Sequence, residues 1–335
     1  MPQFGINDDF NGCPYTCSTG AIHPSGCIDY CTFSTGWTSS RINDGVFTIP
    51  SPGCKLKGTI HPQGGTIKIT GDSEVTPFHE LAAPDLSSRH IYATQFPTEV
   101  VVHLSYLRLT GGIATNSHGG SIYIGNVDGD AESIWHITSC IFEGCKLSEP
   151  FCTQESGGSI YVNVLDKERS TSISEANKVI VNIKDSHFKN IRAKKQGGAI
   201  YFNDESVAGF VSELNIEAST FEGCSAENGG AIAAQSQTNK LLKVKITSST
   251  FKNNKAGNSG GALRFDKKVE ATLFGGLNIF EGNLATSGSN TIDLTGGAKL
   301  LRLREQCHPS STEGDATYTG SATDDVNDDF VGCPF

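Results

Sequence analysis

The stretch FKNIRAKKQGGAIYF, residues 188–202, decides how this chain folds, because its outline returns as FEGCSAENGGAIAA at 221–234 and as FKNNKAGNSGGALRF at 251–265. Each copy opens on a large apolar anchor, passes through a short polar step to a small residue, and reaches paired glycines that lead into another apolar run. Working outward, the anchors are Leu109, Phe142, Phe188, Phe221, Phe251 and Phe280, with Ala114, Leu147, Ala193, Ala226, Ala256 and Ala285 five positions further on. The glycine pairs are Gly119-Gly120, Gly157-Gly158, Gly197-Gly198, Gly229-Gly230 and Gly260-Gly261, and Gly288 is what remains of a sixth. Such self-similarity marks a repeat architecture, in which one unit cannot bury its own apolar face and stacks on copies of itself.

Upstream of the anchors apolar residues alternate: Val100, Val102 and Leu104; Val179, Val181 and Ile183; Leu214 and Ile216; Leu242, Val244 and Ile246. A period of two means a strand with one buried face. Each repeat therefore predicts a long strand, a short strand at the anchor and a third after the glycines, with no helical period between them. The spacing runs from 29 residues (251 to 280) to 46 (142 to 188). Three strands per repeat make one coil of an all-β, three-sided solenoid, and equivalent strands stack at roughly 4.8 Å, so that Phe, Ala and Ile each form an interior column. The paired glycines fit a sharp corner where φ is positive or backbones pack too closely for a Cβ.

Length and composition agree. A chain of 335 residues exceeds the usual single-core domain, but a solenoid grows along one axis and needs no second core. IKITGDS (67–73), RHIYATQ (89–95) and VVVHLSYLRLTGG (100–112) read as irregular opening coils. The expected organisation is a cysteine-rich N-terminal cap over 1–59, the solenoid over 60–300, and a C-terminal cap or tail over 301–335, since open strand edges at solenoid ends need cover. The extra length falls in 146–156 and 163–177, where insertions on one face commonly form a binding surface.

A net charge of -10 argues against a nucleic-acid partner, since clustered Lys and Arg are scarce. Eleven cysteines argue for an oxidising, extracellular or cell-surface compartment. Cys13, Cys17, Cys27, Cys31, Cys54, Cys140, Cys152, Cys307 and Cys333 are disulfide candidates. Cys13 with Cys17 and Cys27 with Cys31 also have the spacing of a four-thiolate zinc site, the less favoured reading. Cys145 and Cys224, each three past an anchor, are expected in an interior column. No apolar stretch reaches membrane-spanning length, and the first ten residues lack the pattern of a secretory leader, so a leader or anchor of a secreted form is expected outside this sequence.

With these residues laid out, the chain resembles the pectin-lyase-like β-helix proteins, in particular those with polymorphic outer-membrane-protein type repeats defined by GGA[ILV] and FxxN. GGAI stands at 197–200 and 229–232, GGAL at 260–263, and FxxN at 251–254 and 280–283, while FEGC at 142 and 221 puts Cys in place of Asn. The resemblance implies a single-stranded right-handed parallel β-helix whose work is adhesion or surface coating rather than a reaction.

No catalytic, cofactor-binding or metal-ligating set is expected. Asp128, Asp130, Asp166, Asp204, Glu205 and Asp266 follow the glycine strands; stacked oxygen ligands there would suit Ca²⁺, but their shifting offsets fit turn chemistry better. Arg264 is expected to face outward beside Tyr161 and Tyr201 as surface covering. His103, His136 and His187 lie in strands without matching carboxylates and read as structural. The unexpected motif is NDDFNGCP (7–14), which recurs as NDDFVGCP (327–334) with seven of eight residues alike. Asn7, Asp8, Asp9, Phe10 and Cys13, with Asn327, Asp328, Asp329, Phe330 and Cys333, are thus assembly candidates, since matching ends on a rod predispose it to head-to-tail self-association. A cell-surface or carbohydrate partner is the companion expectation, and a polysaccharide-degrading or polysaccharide-binding solenoid is the rival class.

Overall fold

The computed structural model describes residues 41–303, apart from 43, 50, 52, 72–77, 84–87, 95–98, 115–116, 126–131, 144–153, 165–177, 207–210, 237–239, 275–277 and 289–290, together with 318–319. Every regular element among them is a strand. One repeat shows the plan: Lys178–Lys184, His187–Lys189, Ala193–Gln196 and Ile200–Asp204 follow one another, and each pairs in parallel with its equivalent one coil on, Ser212–Glu217, Thr220–Glu222, Ser225–Asn228 and Ile232–Ser236. The strands gather into a nine-stranded long sheet, an eight-stranded anchor sheet, a five-stranded corner sheet and an eight-stranded glycine sheet, with a two-stranded pairing of Arg41–Ile42 and His61–Pro62 at the upstream end. The protein is a parallel β-helix.

Two expectations need adjustment. The middle coils carry four strands rather than three, because the residues between anchor and glycines extend far enough to pair, Ala226 beside Ala256 and Ala256 beside Ala285. The sheets also reach into both regions expected to be caps: Gly45–Thr48 pairs with the long sheet, Gly53–Lys55 with the anchor sheet, and Tyr318–Thr319 with Ile292 and Asp293 of the glycine sheet. The duplicated NDDFxGCP segments lie outside the described residues.

Parallel register without offset puts like side chains over like. Phe142, Phe188, Phe221, Phe251 and Phe280 form a stack with neighbouring ring centroids 4.6 to 5.0 Å apart and planes within 9° of parallel. The second residue of each FxxN anchor-to-corner step faces out, the third turns the chain, and the fourth points in. At the third position Asn190, Gly223, Asn253 and Gly282 all have φ between 54° and 65°, the left-handed region that glycine and asparagine enter most easily. At the fourth, Asn254 Oδ1 accepts from the Cys224 backbone N–H at 2.9 Å, and Asn254 Nδ2 donates to the Phe221 carbonyl at 3.0 Å. Asn283 repeats this one coil on, accepting from Asn254 N–H at 3.0 Å and donating to Phe251 O at 2.9 Å. The motif asparagine thus closes backbone bonds that the corner leaves open. On the other side of the anchor strand, Ser186, Ser219 and Ser249 do the same work, each hydroxyl accepting from the N–H of the preceding coil at 3.1 to 3.2 Å.

The corner before those serines is also left-handed, at Ser139, Asp185, Ala218 and Ser248, with φ from 47° to 50°. Ala218 is exposed and its methyl gains nothing there, while a non-glycine residue in this region costs about 1–2 kcal/mol. Ala218→Gly is therefore expected to be neutral or to stabilise by up to about 1 kcal/mol, against the loss of about 0.5–1 kcal/mol that alanine to glycine brings inside an ordinary strand. Denaturant midpoints of the two chains measure this, and a fall of the ordinary size would show that the corner is unstrained.

His90 is fully buried, with Nε2 2.9 Å from the Leu81 carbonyl, and burial pushes its pKa down to about 4. The folded form therefore resists a proton that the unfolded chain accepts near pH 6.5. Between those values the unfolded state binds more protons, so stability is full above pH 6.5 and falls by about 3 kcal/mol by pH 4. His90→Gln is expected to flatten that slope in urea titrations run from pH 7 to 4, and an unchanged slope would remove His90 as its source.

Of the disulfide candidates, Cys54 is disulfide-bonded. Cys140 is a correction: it is a free, buried thiol, because it occupies the interior serine column, its N–H bonded to Ser186 Oγ at 3.1 Å. Burial raises its pKa to about 12, and the same holds for Cys224, which sits in the interior asparagine column as expected. Neither is a reactive thiol. The other candidate cysteines, and Cys145, lie outside the described residues.

Candidate functional site

In the glycine sheet Ile91, Ile122, Ile160, Ile200, Ile232, Leu263 and Ile292 pair rung by rung and face the core. Side chains alternate along a strand, so the next residue of each points outward, and here the register reads Tyr92, Tyr123, Tyr161, Tyr201, Ala233, Arg264, Asp293. Four consecutive coils thus set tyrosine beside tyrosine on the outer face. Ring centroids are 5.0 Å apart for Tyr92 and Tyr123, 5.2 Å for Tyr123 and Tyr161, and 5.5 Å for Tyr161 and Tyr201. Tyr161 and Tyr201 are buried, whereas Tyr92 and Tyr123 are half-buried. Desolvation raises the pKa of Tyr123, Tyr161 and Tyr201, so these phenols stay protonated as hydrogen-bond donors.

A second outward column runs beside them. Asn203 Nδ2 donates to Asn163 Oδ1 at 2.9 Å and to Glu205 Oε1 at 2.7 Å, while Gln235 Nε2 donates to Asn203 Oδ1 at 2.8 Å. Amides and tyrosines together make a firm, mixed aromatic and polar face.

At the upstream end of the tyrosine column the face opens into a cleft of about 320 Å³, lined by Thr59, His61, Arg89, Tyr92, Ser117, His118 and Tyr123. Arg89 is its centre. Nε donates to the carbonyls of His118 at 2.9 Å and Gly119 at 3.0 Å, and Nη2 donates to Ser117 Oγ at 2.7 Å. The guanidinium carbon lies 5.2 Å from the Tyr92 ring centroid and 5.4 Å from that of Tyr123, within cation–π range. His118 stacks on Tyr161 at 4.4 Å. Burial lowers the pKa of His118, more than the nearby Glu155 carboxylate raises it. That carboxylate is itself bound by Lys195 at 2.5 Å and Lys194 at 3.5 Å.

Other sequence candidates fall elsewhere. Arg264 lies in the tyrosine register two coils beyond Tyr201, but it is held by Asn228 Oδ1 at 2.5 Å, Ser259 Oγ at 2.8 Å and Asp293 at 3.8 Å, which makes it a structural clamp. His103 and His136 stack at 4.7 Å on the outer face of the long sheet. His187 does have a carboxylate, Glu222 at 3.5 Å on the next coil, a pairing invisible without the register. Asp204 caps Ser206, accepting from its N–H at 3.1 Å and from its hydroxyl, and faces Lys240 at 3.6 Å in a buried ion pair. Glu205 accepts from Asn203. Asp128, Asp130 and Asp166 lie outside the described residues, as do most of the two insertions. Among the described residues no cluster of three or more His, Cys, Asp or Glu is placed to hold a metal ion.

Sequence reasoning found Tyr161 and Tyr201 but missed Tyr92, Tyr123, Arg89 and His118. The signal was the dipeptide Ile-Tyr in RHIYATQ, GGSIYI, GGSIYV and GGAIYF; the first lacks the paired glycines that carried the alignment.

Residues 185–203 and 248–265 each match the Chlamydia polymorphic membrane protein repeat. Both stretches run from the serine corner through the anchor turn, FKNI at 188–191 and FKNN at 251–254, to the strand after the paired glycines, so the match covers the folding elements and leaves the cleft outside it. No curated protein and no solved structure matches the chain.

Proposed function

We propose that the protein is an extracellular structural or adhesive β-helix protein, a stiff rod at a cell surface whose glycine-sheet face carries the recognition chemistry. The observation that carries this reading is the outward tyrosine column with Arg89 at its end. Folding explains the inward columns and the burial of Tyr161 and Tyr201 against Ala233, but it does not require Tyr92, Tyr123 and a cation in line on the open end of the outer face. The polymorphic-membrane-protein repeats support a surface location. Among the described residues no helix is long and apolar enough to cross a membrane. The duplicated ends, with a cysteine in each, support head-to-tail joining of copies into a fibre or coat.

Beads coated with the chain should bind cells or their extracted surface glycans, and Tyr123→Ala should reduce that binding with the melting temperature kept. Negative-stain images and gels run with and without reductant test the assembly: polymers of rods are expected, and monomers alone would remove it. A polysaccharide-binding role is the second reading, favoured by the cleft, because aromatic rings beside fixed polar donors are how a rigid scaffold holds a sugar.

A further inference from the structure

We infer that Lys240 and Asp204 condense into an isopeptide bond, an amide between the lysine Nζ and the aspartate Cγ that ties two adjacent coils together covalently. This goes beyond the reading of the outer face and does not depend on it.

Placement is the first argument. Side chains alternate along Ile200–Asp204, with Tyr201 and Asn203 outward, so Asp204 points into the solenoid. Its partners in register are Val164 on the coil before and Ser236 on the coil after, both fully buried. Lys240 reaches it from the next coil, where Ser236 Oγ donates to the Lys240 carbonyl at 2.6 Å and holds the backbone in place. Only 4% of the Lys240 side chain and none of the Asp204 side chain is exposed.

Energy is the second. An ion pair buried this far gains little, because stripping water from both ions offsets their attraction. Condensation removes both charges and leaves a neutral amide in their place, where exclusion of water protects it from hydrolysis. Proximity alone is not the criterion. Lys184 and Glu217 stand closer, at 2.8 Å, but about half of each side chain is exposed, so water solvates both ions and nothing drives them to react.

The proton path is the third. Lys240 Nζ donates to Ser206 Oγ at 2.7 Å, the Ser206 hydroxyl donates in turn to Asp204 Oδ1, and Nζ itself faces Oδ2 at 3.6 Å. The Ser206 backbone N–H, 3.1 Å from Oδ1, fixes the carboxylate. One ammonium proton passed along this relay gives a free amine and a carboxylic acid. The amine lone pair then attacks Cγ, and a second proton leaves nitrogen by the same route. The Cγ–Oδ1 bond breaks, Oδ1 departs as water, and Oδ2 remains as the amide carbonyl. Carboxylate and ammonium thus become amide and water, with no oxidant, cofactor or further reactant.

The test is tryptic digestion of the full chain, folded first and then denatured and reduced, read by mass spectrometry. No Lys or Arg lies between 196 and 239, so an open chain yields the peptide 196–240 at full mass. Trypsin does not cut after a lysine acylated on Nζ, so the bonded chain should yield 196–243, lighter by one water. Cutting that peptide further after its glutamates should leave the two ends joined. Cleavage after Lys184 is expected as usual. Lys240→Arg keeps the charge and loses the amine, so it should return 196–240 at full mass, and if it fails to fold the wild-type digest decides alone. Ser206→Ala should lower the bonded fraction at a fixed time after folding roughly tenfold or more. The wild-type peptide 196–240 at full mass would overturn the inference. So would the same peptide lighter by one water yet cut after Lys240, which is a cyclic imide at Asp204, or a water-light peptide in folded Lys240→Arg. Closure at the wild-type level in folded Ser206→Ala would overturn the relay.

Discussion

Gly230→Ala is expected to abolish the folded solenoid, with a loss of about 4 kcal/mol or more and accumulation as insoluble chain. A Cβ on Gly230 would stand 2.1 Å from the Gly261 carbonyl oxygen and 2.8 Å from backbone atoms of Lys255. Those atoms cannot rotate aside as a side chain does, because Gly230 N–H bonds to Gly260 O at 2.9 Å in the same corner. Nor can the coils part locally: a Cβ on Gly198 would likewise stand 2.0 Å from the Gly230 carbonyl oxygen, so each corner is packed against the next and a shift at one is passed on. Gly257→Ala is the control. Its Cβ would meet nothing nearer than 3.5 Å, and a change within about 0.5 kcal/mol is expected. Soluble yield and melting temperature measure both, and a Gly230→Ala chain melting within a few degrees of wild type would refute the close-packed corner.

Phe221→Ala is expected to cost about 3–5 kcal/mol. Phe221 is completely buried between Phe188 at 4.6 Å and Phe251 at 5.0 Å. Deleting its ring opens a cavity in the middle of the stack. Cavities are least costly where neighbours relax inward, but here both neighbours are pinned by strands that pair in register above and below. Phe280→Ala tests the reasoning within the same protein. Phe280 closes the stack, has a ring on one side only and is partly exposed, so its loss should be about half as large. Equal losses from urea unfolding of the two variants would mean that the stack relaxes around the gap.

The architecture was legible because the residues that define a coil are those that physics restricts most. Phe188 and its equivalents must fill one interior column, Gly198 and its equivalents must leave room for the next coil, and Val181 with Ile183 must alternate. Each constraint leaves a repeated letter. The fourth strand was not legible, since Ala193-Lys194-Lys195-Gln196 has no apolar alternation and becomes a strand through backbone pairing alone. The site was half legible. Tyr161 and Tyr201 stand in clear repeats, but Arg89 comes from a coil without paired glycines, neither its coil nor that of His118 has a phenylalanine anchor, and their contact joins segments 29 residues apart. Cys140 was misread because its place in the serine column depends on a hydrogen bond to Ser186, and no spacing of cysteines reveals that.

The side-chain bonds that join Ser219 to Ser249 and Asn254 to Asn283 run along the rod, as do the ladders of the four large sheets. Tension between the ends of such a rod falls on bonds that lie parallel to the pull, and an end coil can peel away while the coils behind it keep every contact they had. One coil, 30 residues from Ser219 to Ser249, would release about 100 Å of extended chain. A tether made this way lengthens in steps under load, dissipating energy at each, and holds its attachment where a body with one indivisible core would give way all at once.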